Sequence, residues 1–156
     1  MNVEYINPFI EASKTVLMQF LGIEAKLGKV YLKTSPYKSD TIIIIVGVTG
    51  KMRGQVLFTM GKDIALMLAT KMMGMPVAEL DEMSKSAISE LTNMIMGNTA
   101  TIFYNKAIGI EITPPSFLMG DNLQISSNKI KTICIPLVIE GMGVIDIDVM
   151  VEGTNN

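Results

Sequence analysis

The sequence predicts an α/β protein of the α+β type, with a mainly antiparallel sheet of about six strands packed against about three helices. Three observations predict it. Apolar residues recur at helical spacing in three separated stretches, near 7–21, 62–73 and 84–104. Between and after them lie short runs rich in Ile, Val and Thr, of which Ile42 to Val48 is the longest. Glycine-bearing turns, Thr49-Gly50-Lys51 and Gly141-Met142-Gly143, join neighbouring runs closely enough to make antiparallel hairpins. A length of 156 residues predicts one domain over 1–156, large enough to bury a core without disulfide staples.

Asn7 reads as a helix N-cap and Pro8 as the first helical position. Phe9, Ala12, Val16, Leu17, Phe20 and Leu21 follow at helical spacing, and Gly22 ends the element. Residues 29–34 predict a short strand and 35–40 a polar loop. Residues 41–48 and 55–60 predict the first hairpin. Its Gly47 to Lys51 turn superficially resembles a phosphate loop. It lacks the spacing, has Met52 where a hydroxyl residue belongs, and precedes a strand instead of a helix. Residues 62–73 predict a second helix, with Ile64, Leu68 and Met72 on one face and Gly74 past the end. Met75-Pro76 separates it from the third. Glu79, Asp81 and Glu82 precede or open that third helix, where carboxylates suit the positive end of the dipole and could add an acidic rim.

After Tyr104 the pattern turns to strands over 107–113, 117–125, 131–140 and 144–152. Pro136 predicts an edge strand or a bulge. Ile145, Ile147, Val149 and Val151 alternate with Asp146, Asp148 and Met150, which predicts a final strand with one wet face. Two strand-hairpin blocks flank the third helix, an arrangement that points to an internal pseudo-repeat.

Composition removes several function classes. Histidine is absent, so Ser-His-Asp and Cys-His nucleophile systems and the two-histidine zinc helix are excluded. The single cysteine, Cys134, excludes an internal disulfide and a multi-cysteine metal site, and its apolar strand predicts a buried, inert thiol. A net charge of −2 without a long Lys/Arg run argues against nucleic acid and an anionic membrane as partners. Hydrophobic residues make up 49% of the chain, and the mean hydropathy is +0.40. The longest apolar run still falls far short of the roughly 20 residues that span a bilayer. The first residues lack the basic region of a signal peptide, so a cytoplasmic location is the expectation. Most of the 14 methionines are expected to fill the core, with a minority near the third helix offering an adaptable surface.

The chain is organised around that third helix, predicted over 84–104. At about 100° per residue, Ala87, Ile88, Leu91, Ile95 and Ile102 share one side and want a core. Ser86, Glu90, Asn93 and Gly97 share the opposite side, in steps that stack them along one line. That line carries no Lys or Arg, unlike an ordinary solvated face. Asn and Gly inside a helix together cost about 1–1.5 kcal/mol relative to Ala, so stability alone does not explain them. An Asn carboxamide both donates and accepts hydrogen bonds and can hold a water in line with a phosphorus atom. A neutral amide is a poor base, so it would act by orientation.

These residues resemble a family motif. Glu90-Leu91-Thr92-Asn93 on a helix, Ser86 four residues before the Glu, and Pro114-Pro115 about twenty residues on are similar to the motif of the CheC/CheX/FliY phosphatases of bacterial chemotaxis. Ile6 to Ala12, Gly28 to Lys33 and Glu90 to Gly97 are similar to CheX at corresponding places, so the resemblance runs along essentially the whole chain. It implies a phosphatase of the phosphorylated response regulator CheY, whose labile aspartyl phosphate and Mg²⁺ sit on the regulator, with no cofactor in the phosphatase itself. It implies that Asn93 positions water and that Glu90 contacts the regulator's active-site lysine. Ser86, Pro114 and Pro115 fall in partner-binding positions, and Gly97 is added by geometry as a residue that clears space. The resemblance also implies a homodimer joined through sheet edges. The alternative is a non-catalytic module that binds response regulators or flagellar switch components. A small-molecule enzyme lacks any recognisable set of catalytic groups.

Overall fold

The computed structural model describes residues 3–33, 41–120 and 131–153. Three helices and eight strands follow in the order α1 (Val3–Leu21), β1 (Ala25–Leu27), β2 (Tyr31–Lys33), β3 (Thr41–Gly50), β4 (Met52–Met60), α2 (Lys62–Met73), α3 (Glu82–Asn105), β5 (Ile110–Ile112), β6 (Ser116–Gly120), β7 (Thr132–Ile139) and β8 (Gly143–Gly153). The strands form one sheet in the order β1-β7-β8-β4-β3-β5, with β2 also on β7 and β6 also on β3. Every pairing in it is antiparallel. The third helix, both hairpins and the α+β class agree with the sequence reading, and α2 matches its expected 62–73 span. Gly74 adopts the left-handed conformation that closes α2, and its N–H reaches the Thr70 carbonyl. The expected loop over 35–40 and the end of the 117–125 strand lie outside the described residues.

The sheet carries its main core on the helix side. Ile42, Ile44, Val46 and Val48 of β3 join Val56 and Phe58 of β4, Ile147 and Val149 of β8, and Ile133 and Ile135 of β7. Phe9 of α1 meets Phe103 of α3 edge to face, with ring centroids 5.6 Å apart. No helix among the described residues is long and apolar enough to cross a membrane.

Topology reveals the pseudo-repeat that the sequence pointed to. Each half runs helix, broken edge strand, hairpin: α1, β1–β2, β3–β4, then α3, β5–β6, β7–β8. The broken edge strand of each half pairs with the first long strand of the other half. Both breaks are bulges of one residue. Leu27 pairs with Leu137 and Tyr31 with Cys134, so residues 28–30 oppose 135–136. Val48 pairs with Ile112 and Ile45 with Ser116, so residues 113–115 oppose 46–47. The break also explains why eight strands stand where about six were expected: short pieces beside a bulge carry little periodicity, and β1 carried none that the sequence reading caught.

Three expectations are corrected. Helix α1 begins at Val3, ahead of the expected cap at Asn7, and contains Pro8. Proline there forfeits one bond near the helix start, while Tyr5 and Ile6 upstream of it pack against the core. Strand β7, which holds Pro136, is interior, so of the two expected settings the edge is overturned and the bulge holds. Pro136 faces the bulge of its neighbour, and its carbonyl accepts from the Gly28 N–H at 2.8 Å, so its missing N–H falls where the ladder is already interrupted. The final strand has no wet face at Asp148, which is fully buried. Strand β2 lays Lys33 over it, with Nζ 2.8 Å from Asp148 Oδ2 and 3.9 Å from Asp146. Ile43, Leu57 and Met150 form a second apolar cluster on that same face of the sheet. Cys134, opposite Asp148 in the ladder, is buried as expected, and burial pushes its thiol well above the ordinary range. The Tyr31 hydroxyl, hydrogen-bonded to Cys134, is likewise held above its usual value.

Removing the cation from a buried pair leaves the carboxylate stranded in low dielectric. Lys33→Met should therefore lower stability by about 3 kcal/mol at neutral pH. Urea denaturation at pH 7 checks this, with a change under about 0.5 kcal/mol, the ordinary surface range, counting against it.

Candidate functional site

Helix α3 begins in a reciprocal capping box. Asp81 Oδ1 accepts the Ser84 N–H at 2.8 Å, and Ser84 Oγ accepts the Asp81 N–H at 2.7 Å. The Ser84 N–H, and after it the Ser84 hydroxyl, which donates to the same Oδ1 at 2.8 Å, favour the ionised carboxylate and hold Asp81 below its ordinary value. The helix then turns its apolar side inward. Ile88, Leu91 and Ile95 are buried as the sequence predicts, together with Met96 and Phe103. Ala87 and Ile102, expected on the same side, are half-buried at its flanks. Thr92 and Thr99 fill the rest of the buried face because each hydroxyl donates to a carbonyl one turn back, to Ile88 at 3.2 Å and to Ile95 at 2.8 Å.

With that side fixed, the polar line faces out. Ser86 and Glu90 are exposed, and Asn93 and Gly97 are half-buried. Beside the line lies an open groove of about 880 Å³ between α3 and the β5–β6 edge. Glu82, Lys85, Ser86, Ser89, Glu90 and Asn93 form one wall; Ile112, Pro114, Pro115, Phe117 and Met119 form the other. The structure thus brings Ser86, Glu90 and Asn93 to the same cleft as the proline pair across a gap of about twenty residues in sequence. Gly97 is not part of the groove, and a Cβ added there would meet nothing within 4 Å. Nothing in the chain itself requires a glycine at that position.

The groove is mildly acidic. Glu82 and Glu90 oppose one cation, Lys85, whose Nζ lies 3.7 Å from Glu82 in an exposed pair worth little. Among the described residues, neither Glu90 nor Asn93 is engaged by a hydrogen bond or ion pair of its side chain. Both are available to an incoming partner. An exposed carboxylate one turn from a carboxamide can grip a cation and orient a water.

Sequence reasoning missed Lys85, Ser89, Ile112, Phe117 and Met119. Lys85 and Ser89 flank the polar line and enter only because the opposite wall stands on their side. Phe117 and Met119 pair with Ile44 and Ile42 and so face the helices, which strict alternation along 116–120 could have indicated. No local signal placed that edge beside α3. Fewer methionines fill the core than expected: among the described residues Met52, Met60, Met96 and Met150 are buried and Met67, Met72 and Met94 pack partly against the core, while Met75 and Met83 near the start of α3 and Met119 in the groove are exposed.

Comparison with known proteins adds a family. Residues 42–138 match the model of the chemotaxis phosphatase CheX. The CheY-P phosphatase CheX of Thermotoga maritima is 31% identical over 128 residues, covering 81% of this chain and 83% of that protein. The crystal structure of a CheC-like superfamily protein from Shewanella sp. PV-4 superposes with a TM-score of 0.87 at 28% identity, covering 98% of this chain and 100% of the other. CheX in the CheX–CheY–BeF3–Mg²⁺ complex from Borrelia burgdorferi gives a TM-score of 0.82 at 28% identity, covering 97% and 99%.

The capping box makes a prediction about acid stability. Because the native value of Asp81 is depressed, its contribution is complete above the ordinary carboxylate value of 3.8 and is lost as pH falls through the lower native one. Asp81→Ala should lower the melting temperature at pH 7 and flatten the loss of stability below about pH 4. Parallel melts of both proteins from pH 7 to pH 2 test it; superimposable curves would contradict the cap.

Proposed function

The chain belongs to the CheX family of chemotaxis phosphatases, and we propose that it hydrolyses the aspartyl phosphate of a CheY-type response regulator by orienting the attacking water. The observation that carries this reading is the outward line of Glu90 and Asn93 at an open groove, one turn apart and with side chains unengaged among the described residues. Asn93 accepts a hydrogen bond from the water and donates one to its surroundings, aiming the oxygen at phosphorus. The water oxygen bonds to phosphorus as the P–O bond to the regulator's aspartate breaks, the electron pair leaves on that carboxylate, the water's proton passes to a phosphate oxygen or to solvent, and inorganic phosphate departs. Phosphoryl transfer of this kind depends mainly on positioning and electrostatics, so a site that only orients the water suffices. Glu90 pairs with a lysine of the regulator and fixes the docking angle. Ser86, Pro114 and Pro115 contact the partner, and Gly97 leaves its approach unobstructed.

Mg²⁺ belongs to the phosphorylated regulator and enters as part of the substrate in this reading. The relative crystallised as a CheX–CheY–BeF3–Mg²⁺ complex supports that division. A CheY-type substrate also argues for a cytoplasmic site of action. A homodimer through a sheet edge fits best at β1–β2, because the opposite edge, β5–β6, walls the groove. A pure interaction module has no use for Asn93 at this position.

Asn93→Ala should slow phosphate release by about 10²-fold at saturating substrate, the cost of a misplaced attacking group. Glu90→Ala should act mainly through KM, by about tenfold, since it removes docking. Single-turnover release from phosphorylated CheY distinguishes the outcomes. Full activity in both variants would sink the assignment, and wild-type binding without acceleration would select the interaction module.

A further inference from the structure

The groove wall opposite α3 depends on a side chain to which the phosphatase reading gives no role. Between β5 and β6 the chain carries Pro114 and Pro115, which have no N–H to offer β3. The step sits on a bulge at a sheet edge, where few bonds can hold it. Thr113 supplies them. Its backbone N–H donates to the Gly47 carbonyl at 3.0 Å. Its hydroxyl accepts the Gly47 N–H at 2.8 Å and donates to the Pro114 carbonyl at 3.2 Å. One residue thus satisfies both backbone groups of Gly47 and ties down the first proline. Gly47 must in turn stay small: a Cβ there would lie 3.0 Å from Thr113 Cγ2 and 3.2 Å from Oγ1.

Thr113 does not line the groove, whereas Ile112, Pro114 and Pro115 on either side of it do. We propose that Thr113 is a positioning residue for the phosphatase reaction. By clamping the proline step to β3 it sets the gap between that step and the Glu90–Asn93 line, and so how the phosphorylated end of the regulator seats. The inference rests on the phosphatase reading of the same groove. A two-proline step released from its hydroxyl loosens the wall against which the regulator docks, and loss of docking alone raises KM without slowing the attack on phosphorus.

Thr113→Val keeps the shape and removes the hydroxyl; Thr113→Ser keeps the hydroxyl and removes the methyl. Gly47→Ala presses on the same clamp with Thr113 intact. Initial rates of phosphate release against concentration of phosphorylated CheY, with a melting curve for each variant, form the test. We expect T113V and G47A to raise KM about fivefold with kcat within about twofold, and T113S to restore KM to within about twofold of wild type. A T113V protein with a lowered melting temperature but unchanged KM would overturn the positioning role and leave Thr113 a stabilising residue only. An active wild type with T113V and T113S indistinguishable would overturn it too. A wild type that releases no phosphate faster than the regulator alone would overturn the phosphatase reading itself.

Discussion

Burial of one side of α3 is the constraint on which the rest depends. Ile88, Leu91, Ile95, Met96 and Phe103 leave the helix a single rotation about its axis, because any other would strand them in water. Fully burying side chains of that size is worth about 1.5–3 kcal/mol each, far more than the penalty of an Asn or a Gly on the outer side. The outer line is therefore free to hold poor helix formers. The capping box fixes where the helix starts, and the apolar face fixes which way Asn93 points.

The sheet uses one device twice. Each edge strand is broken by a one-residue bulge against a long strand of the other half. At the β1–β2 edge the bulge accommodates Pro136 on the partner strand and carries Gly28 close to it. At the β5–β6 edge the prolines lie in the bulge itself and stand across a groove from Glu90 and Asn93. The same backbone feature thus carries different residues at the two edges, and the β5–β6 edge borders the groove. The buried Lys33–Asp148 pair, by contrast, fastens the β2 piece of the first edge to the sheet and takes no part in the groove.

Much was legible from the sequence because its signals are local. Helix α2, both hairpins, the inward stripe of α3 and the outward line of Ser86, Glu90 and Asn93 follow from periodicity within a few turns. Of the four strands beside the bulges, β2, β5 and β6 fall on expected stretches, whereas the three residues of β1 carry too little alternation to register. Asp148 misled for a related reason. Alternation reports that two residues share a face, but not whether another strand covers it, and β2 does.

The sequence by itself determined which side of α3 would be polar, that no histidine was available, and that a carboxamide and a carboxylate would lie one turn apart on that side. Periodicity and composition are properties of the chain, so no fold was needed to read them. Only the tertiary structure decided that the Pro114–Pro115 step would face that line, that Lys85, Phe117 and Met119 would share its groove, and that a threonine clamped to Gly47 would hold the far wall. Those placements depend on contacts between residues far apart in sequence, which hydrogen-bond register and packing create and local pattern does not encode.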